Sequence, residues 1–595
     1  MIKVSDYIAQ RLKNFYGVKH VFLISGGGAM HLNDSFGKYL DYTCNHHEQA
    51  SAMAAEGYAR VNQELAVVNV TTGPGGLNTL NGVFGQWTDS VPVLYISGQV
   101  KYSTTINSCK VAGLRQLGDQ EVDIVRVVTP LVKYAKTVTD PLEIKVVLDK
   151  AITMATTGRY GPVWIDIPMD VQGSYIDEND LYTDNPFVGT AYDDCDIKCD
   201  EVISLLKHAN SPLIVAGHGL RLSQSQEIFL ELIDKLKIPV VTTFNGVDII
   251  AEDNDYYIGR VGTLGQRAGN FALQNADLII CLGTRNNIRQ VSYNWEKYAP
   301  KAKIVVVDID QAELSKPTIK IDLAICADVR DVINNFIYKL THGEVPIFSK
   351  WLIWCRSCKQ KYHPTRELLY LNNNEYINPY LFTMRLTEAM SSTDVLVAGN
   401  GSACVCVFQA GVVKKGQRFI WNSGDASMGY DLPAAIGASI ASPDRQVICL
   451  AGDGSLMMNL QELQTMKHYN LPIKLFVLNN DGYVSIQQTQ NNFFSDNIVA
   501  CTQDTGVTFP NFIKLAEAFN LPTVKIVSAD NLPEQIKKVL DYDGPVVCEV
   551  MLDRGYAFVP KASAQKLSDG KLVSKLLDDM FPFLSIEEME TNRYM

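Results

Sequence analysis

The chain has no stretch of about 18 consecutive apolar residues, the length that a membrane-crossing helix needs, although 47% of its 595 residues are hydrophobic. Nor does positive charge predominate. Fifty-three basic against 65 acidic side chains leave −12 at pH 7, which argues against broad binding to nucleic acid or to an anionic membrane. The opening residues MIKVSDYIAQRLKNFYGV carry scattered charges and no apolar core, so they read as an amphipathic helix and not as an export signal. Closely paired cysteines are scarce too. Thirteen occur, an odd number, and the closest spacings are Cys355/Cys358 and Cys404/Cys406. Scattered reduced thiols of a cytoplasmic protein fit this better than a disulfide framework or a four-ligand zinc site. No short-period repeat or low-complexity tract interrupts the chain.

What is present is a long alternation of short β-branched runs with helix-like stretches, the pattern of layered parallel α/β folds. Its length calls for about three or four domains. Strands are expected at 21–25, 66–71, 92–97 and 162–167, at 212–216, 239–243, 276–282 and 303–308, and at 395–398, 418–422, 446–451, 473–478 and 545–551. The expected division is 1–180, 195–342 and 365–560, followed by a tail, 561–595. An acidic linker, DENDLYTDNPFVGTAYDDCD, joins the first two units, and an irregular segment beginning THGEVPIFSK leads to the third, from about Asn373. In parallel sheets ligands bind beyond the carboxyl ends of strands, and several such places hold unusual residues.

The first is Gly452-Asp453-Gly454-Ser455 after one apolar strand, with Asn479-Asn480-Asp481-Gly482-Tyr483 after the next. Oxygens from two strand ends would converge there, as a hard divalent cation requires, and the glycines would let N–H groups approach an anion. Separately, a capping Asp and an Asn-Asp-Gly turn would be ordinary; the pairing is what carries the signal. The second is His46-His47-Glu48-Gln49 before an alanine-rich helix, where a glutamate usually only complements the helix dipole. The third is Thr71-Thr72-Gly73-Pro74-Gly75-Gly76-Leu77-Asn78, a tight turn whose backbone can lie against a ring. Gly26 and Gly27, Gly401 and Ser402, and the Asp425–Pro433 run with Ser427 and Met428 follow other strands.

Taken together, these motifs resemble those of thiamine-diphosphate enzymes, and nearly the whole chain is similar to acetolactate synthases, including PVWIDIPMDVQ and LPAAIGA. The resemblance implies an α/β fold of three doubly wound parallel-sheet domains: pyrimidine-binding, central Rossmann-like and diphosphate-binding. Asp453, the Asn480 side chain and the Gly482 carbonyl would bind Mg2+, beside Gly454, Ser455 and Tyr483. Glu48 would bond the pyrimidine N1′, with Pro74 and Asn78 nearby and Gly26-Gly27 as an earlier glycine turn. Met428, flanked by Ser427, would wedge between the cofactor rings. Gly401 and Ser402 would stand in the diphosphate-contacting loop, where the family's glutamine and histidine are replaced. His46 and His47 are assigned a structural or polarity role. In the central domain Gly217, Arg285, Asp308 and Asp328 match an FAD site, although the family's paired Asp is here Asn286-Asn287; an ADP site or a lost nucleotide site is the alternative. A homodimer or homotetramer is implied, with cofactors at subunit interfaces.

The implied reaction decarboxylates a 2-keto acid, pyruvate by the resemblance, and joins the two-carbon unit to an acceptor carbonyl. Where acetolactate synthases carry a Trp, this chain has Thr489 within Gln487-Gln488-Thr489-Gln490. NNDGYVSIQQTQNNFF and the tail 559–584 resemble relatives of branched-sugar biosynthesis, so the acceptor is expected to be a nucleotide-linked keto-sugar. Condensation of two keto acids is the alternative. A nicotinamide dehydrogenase would need a Gly-x-Gly-x-x-Gly turn. A non-catalytic regulatory relative would be expected to have lost Glu48 or Asp453.

Overall fold

Thirteen apolar runs become strands of three six-stranded parallel sheets in a computed structural model that describes residues 1–109, 111–183, 195–341, 346–368, 376–494, 497–566 and 572–594. The first sheet runs Asp41–Cys44, His20–Leu23, Ala66–Val70, Val93–Gln99, Val163–Pro168, Ala135–Thr137. The third runs Arg418–Ile420, Val395–Ala398, Val447–Gly452, Ile473–Asn479, Val546–Met551, Thr523–Ile526. Numbered within each sheet, both have the order 2-1-3-4-6-5. The middle sheet runs Tyr257–Arg260, Val240–Thr242, Pro212–Ala216, Leu278–Leu282, Lys303–Asp308, Leu323–Cys326, the order 3-2-1-4-5-6 of dinucleotide-binding folds. Central strands such as Val93–Gln99 and Leu278–Leu282 are buried along their whole length, which is why they read as continuous apolar runs.

In each order the chain reverses direction beside the first strand, the point at which ligands bind beyond the strand ends of such sheets. In the first sheet the strands at that point lead into the Gly26–Gly28 turn and the Thr71–Gly75 turn. In the third they lead to Gly401 and Asp453, and in the middle sheet to Gly217 and Gly283. Topology therefore brings together the glycines and polar residues singled out above.

The first and third units are joined by one very close helix pair. Helix Glu48–Asn62 crosses helix Asp431–Ala441 so tightly that a Cβ on Gly57 would lie 2.1 Å from the Ala434 carbonyl oxygen. A Cβ on Gly437 would lie 1.8 Å from that of Ala54.

One segment differs from expectation, and the structure also places the tail. The stretch after 346 is not irregular: Ser349–Lys361 is a helix, and it buries Trp351, Cys355 and Cys358 against the middle sheet's core. Those three residues have helical spacing, obscured in the sequence by the exposed Ile353 on the opposite face. The final segment packs on the middle unit, with Leu577 in its core and Leu584, Met589 and Tyr594 against it. There Arg267 donates to the Met580 and Pro582 carbonyls. The centre of the acidic linker, 184–194, residues 342–345 and Asn373 lie outside the described residues. Among the described residues no helix is long and apolar enough to cross a membrane, and all thirteen cysteines are free thiols.

Candidate functional site

Asp453 opens the short helix Asp453–Leu456 directly after its strand, so its carboxylate is held by the N–H groups of two strand ends. Oδ1 accepts from Gly454 at 2.7 Å; Oδ2 accepts from Asn480 at 3.1 Å and Gly482 at 3.4 Å. Burial nevertheless pushes the Asp453 carboxyl up to about 6. The Asn480 amide has one end 3.2 Å from Asp453 Oδ2 and 2.7 Å from the Gly482 carbonyl, and the other 3.3 Å from the Tyr556 hydroxyl. Protein hydrogen bonding alone favours nitrogen at the inner end. With oxygen there, three oxygens meet in one corner, a donor set suited to a divalent cation. Over this corner the Tyr483 ring and the Met428 methyl close on Gly454, where a Cβ would lie 2.1 Å from Tyr483 Cε1 and 3.2 Å from Met428 Cε.

In the first unit Glu48 is half-buried at the start of its helix, and its Oε2 accepts from the Asn78 side chain at 2.9 Å. Gly75 faces the other carboxylate oxygen at 3.6 Å, measured from where a Cβ would stand. Gly26 lies under Thr71, where a Cβ would clash at 2.4 Å, whereas Gly27 faces open space. His47 caps the helix, its Nδ1 accepting from Gln49 N–H at 3.2 Å, and His46 is exposed.

One loop spans the two units. Gly424 N–H donates to Asp89 at 3.4 Å and the Asn81 side chain to Ser427 at 2.8 Å; Met428 then reaches Gly454. Gly429 N–H donates to Ser455, whose hydroxyl in turn donates to Asp431. Gly401 has a left-handed φ of 87°, and Ser402, beginning the next helix, hydrogen-bonds the Tyr556 hydroxyl. Among the described residues no hydrogen bond joins the Glu48–Asn78 pair to the Asp453 corner.

Beyond the strand ends of the middle sheet is a cleft enclosing about 1150 Å³ of space, part of it open to solvent, whose lining includes Gly219, Arg285, Asp308 and Asp328. Gly217 sits just behind it, packed backbone to backbone on Gly283. Asn287 caps the helix Ile288–Val291 at the cavity wall, and Asn286 is buried with φ 46°. Several buried polar atoms of the lining have no hydrogen-bond partner: both ring nitrogens of His218, one Arg289 NH2 group, Asn245 Oδ1 and Asp89 Oδ1. Burial, with Arg60 and Arg418 nearby, pushes His218 down to about 3, so it is neutral at pH 7. Burial raises Asp308 to about 6. Unsatisfied polar atoms around a space of this size suit a large polar ligand.

Comparison with known proteins gives a match to each of the three units. Models of the thiamine pyrophosphate enzyme N-terminal TPP-binding domain, central domain and C-terminal TPP-binding domain match residues 2–125, 199–336 and 399–550. The chain is 32% identical over 576 residues to the acetolactate synthase large subunit of Pyropia yezoensis, covering 93% of this chain and 94% of that one. It is 31% identical to that of Lactococcus lactis, covering 95% of each. To the probable acetolactate synthase large subunit of Methanocaldococcus jannaschii it is 30% identical, covering 90% of each. The chain belongs to the thiamine pyrophosphate enzymes.

For a thiamine pyrophosphate enzyme of this acetolactate-synthase-like kind, three groups at the site carry no motif in the sequence. Tyr556, fully buried far along the chain, meets both Ser402 and the Asn480 amide. Asp89 links the middle cavity to the Met428 loop, and it also accepts from Arg60 at 2.8 Å. His218 stands between Gly217 and Gly219. None of the three has a spacing signal that marks it.

Proposed function

We propose that this enzyme decarboxylates a pyruvate-like 2-keto acid and transfers the two-carbon unit to an acceptor carbonyl, using thiamine diphosphate held through Mg2+. The observation that carries this reading is the corner formed by Asp453, the Asn480 amide and the Gly482 carbonyl, where one amide rotation exchanges a closed hydrogen-bond set for three cation-facing oxygens. Those residues would hold the metal, and the adjoining N–H groups would face the diphosphate. Thiamine diphosphate supplies the electron sink for decarboxylation. Glu48 would hold a proton shared with the pyrimidine N1′, Asn78 would fix the direction of its carboxylate, and Met428 would fill the space between the rings.

For the acceptor, a nucleotide-linked keto-sugar is supported by Thr489, which lies exposed on helix Val484–Phe494 where an indole would narrow the approach. The exposed Ile486, Phe493 and Phe494 on the same helix leave room for a bulky partner. Condensation of two keto acids is favoured instead by the names of the relatives. Product analysis decides between them. Pyruvate with a keto-sugar nucleotide should give the acetylated sugar much faster than pyruvate alone gives acetolactate, and the reverse result rejects the sugar reading.

FAD is the proposed cavity ligand, supported by Arg285, Asp308 and Asp328 and by the unpartnered His218 and Arg289 nitrogens. Protein purified with a flavin absorbance band, which leaves the protein fraction when the protein is unfolded and desalted, is the expected result; an ADP-only cavity would show none. A homodimer or homotetramer acting in the cytoplasm is supported by free thiols and by Leu77, Phe84 and Trp87, each 38–39% exposed along the segment that carries Pro74 and Asn78.

A further inference from the structure

Directly before Glu48, the turn at 44–46 is held by residues from the third unit. Glu462, first residue of helix Glu462–His468, is fully buried and makes no ion pair among the described residues. Its Oε2 accepts from the Asn45 side-chain amide at 2.9 Å and from the Thr465 hydroxyl at 2.7 Å. Its Oε1 accepts from the His46 backbone N–H at 2.9 Å. Asn45 passes the restraint on, accepting from the Ser51 hydroxyl in the first turn of the Glu48 helix at 3.1 Å. At the other end of the same helix the Tyr469 hydroxyl accepts from Cys44 N–H at 2.9 Å.

A strand-to-helix turn exposes N–H groups that need partners, and local caps or water usually supply them. Here two of them, with one side-chain amide, are claimed by a single short helix more than 400 residues away in sequence. A buried carboxylate satisfied by three neutral donors, with no cation to offset its burial, is costly to place and leaves little freedom to the segment it grips. That segment ends at Glu48. The same stretch of chain, 453–469, begins with Asp453.

We propose that Glu462 is a positioning residue: its clamp on Asn45 and His46 fixes the approach of the Glu48 carboxylate to the cofactor pyrimidine. The helix that carries Glu462 thereby links the third unit to the turn before Glu48 within one chain. This rests on the reading of Glu48 as the group that meets the pyrimidine N1′.

The test measures deuterium exchange of the C2 proton of bound thiamine diphosphate, at saturating cofactor and Mg2+, alongside backbone amide exchange over 44–49 in the cofactor-free protein. Glu462→Gln puts an amide N–H2 where an acceptor oxygen stood. It should slow C2 exchange by about tenfold or more, as a displacement approaching 1 Å does, and raise amide exchange over 44–49, with the donor KM little changed. Tyr469→Phe, a milder change at a partly exposed position, should do both more weakly, and it decides the matter should Glu462→Gln fail to fold. Glu48→Gln is the reference: it should slow C2 exchange by about 10²–10⁴ with amide exchange over 44–49 as in wild type. If Glu48→Gln slows C2 exchange while Glu462→Gln and Tyr469→Phe leave both readouts at wild type, the positioning role is overturned. If Glu48→Gln itself leaves C2 exchange unchanged, the reading of Glu48 fails and the proposal falls with it.

Discussion

Replacing Gly437 with alanine should cost far more activity than stability. The added Cβ would start 1.8 Å from the Ala54 carbonyl oxygen. Cβ contacts below 3.0 Å essentially do not occur, so helices Glu48–Asn62 and Asp431–Ala441 would have to separate by about 1.2 Å. The obstructing atom is backbone, which has no rotamer to turn away. Overpacking of this kind costs ~1–3 kcal/mol, while Gly→Ala inside a helix returns ~1 kcal/mol. The net loss of stability should therefore be about 0–2 kcal/mol. The helix pair, however, carries Glu48 at the start of one member and follows the Met428 loop at the start of the other. A shift of about 1.2 Å of either group relative to its bound cofactor should lower turnover by up to ~10²-fold. Turnover at saturating cofactor, metal and pyruvate, paired with thermal unfolding, tests this. Gly37→Ala is the control: that helical glycine has only Tyr42 near, at 3.9 Å, so it should gain stability slightly with unchanged rate. Wild-type turnover in Gly437→Ala would refute the claim that this crossing sets the site geometry.

Asp453→Ala should abolish Mg2+-dependent retention of thiamine diphosphate in gel filtration while far-ultraviolet circular dichroism stays native; retention would remove Asp453 from the metal corner. Phe84→Asp should shift sedimentation towards monomers if the 74–89 segment lies in a subunit interface, and an unchanged assembly would exclude it. Asp166 is buried within the strand Val163–Pro168, bonded to Ser97 and Gln99, and burial pushes its carboxyl up to about 7. The folded protein thus keeps a proton that the unfolded chain loses near pH 4, so stability falls as pH rises from about 4 to about 7. Asp166→Asn should flatten that fall by on the order of 2–4 kcal/mol in denaturant titrations at several pH values; a pH dependence like wild type would refute the assignment.

The parts of this molecule that the sequence made legible are those whose signal is local. Central strands are buried on both faces and so are written as unbroken runs of Val, Ile and Leu. The strands that escape notice, Asp41–Cys44, Ala135–Thr137, Tyr257–Arg260, Leu323–Cys326 and Thr523–Ile526, are all at sheet edges. There an exposed or interrupted face breaks the pattern, as the burial of Asp41–Cys44 and the Gly-Arg end of Tyr257–Arg260 illustrate. The same holds at the site. Asp453 with Asn480, and Glu48 before its alanine-rich helix, are short motifs at strand ends. Tyr556, Asp89 and Glu462 act through contacts with other segments of the chain, 76, 335 and 417 residues away in the cases of Asn480, Gly424 and Asn45, and no spacing announces such contacts.

The hidden edge strands concealed something larger. With Asp41–Cys44 and Thr523–Ile526 in place, the first and third sheets have one topology, and in each the second strand leads through a loop into the helix of the close crossing. One of those loops ends at Glu48 and the other carries Met428. Gly57 meets Ala434 and Gly437 meets Ala54, so each glycine touches the residue three positions before its counterpart. That reciprocity is the mark of an isologous contact, ordinarily made by two copies of one surface, here built within a single chain. Equal topology gives the two units equivalent strand ends, and unequal side chains give those ends different chemistry: Glu48 with the Asn78 amide in one, buried Asp453 with the Asn480 amide and the Gly482 carbonyl in the other. The crossing holds the two at a fixed distance, which is why a single methyl group there should be felt first in the rate.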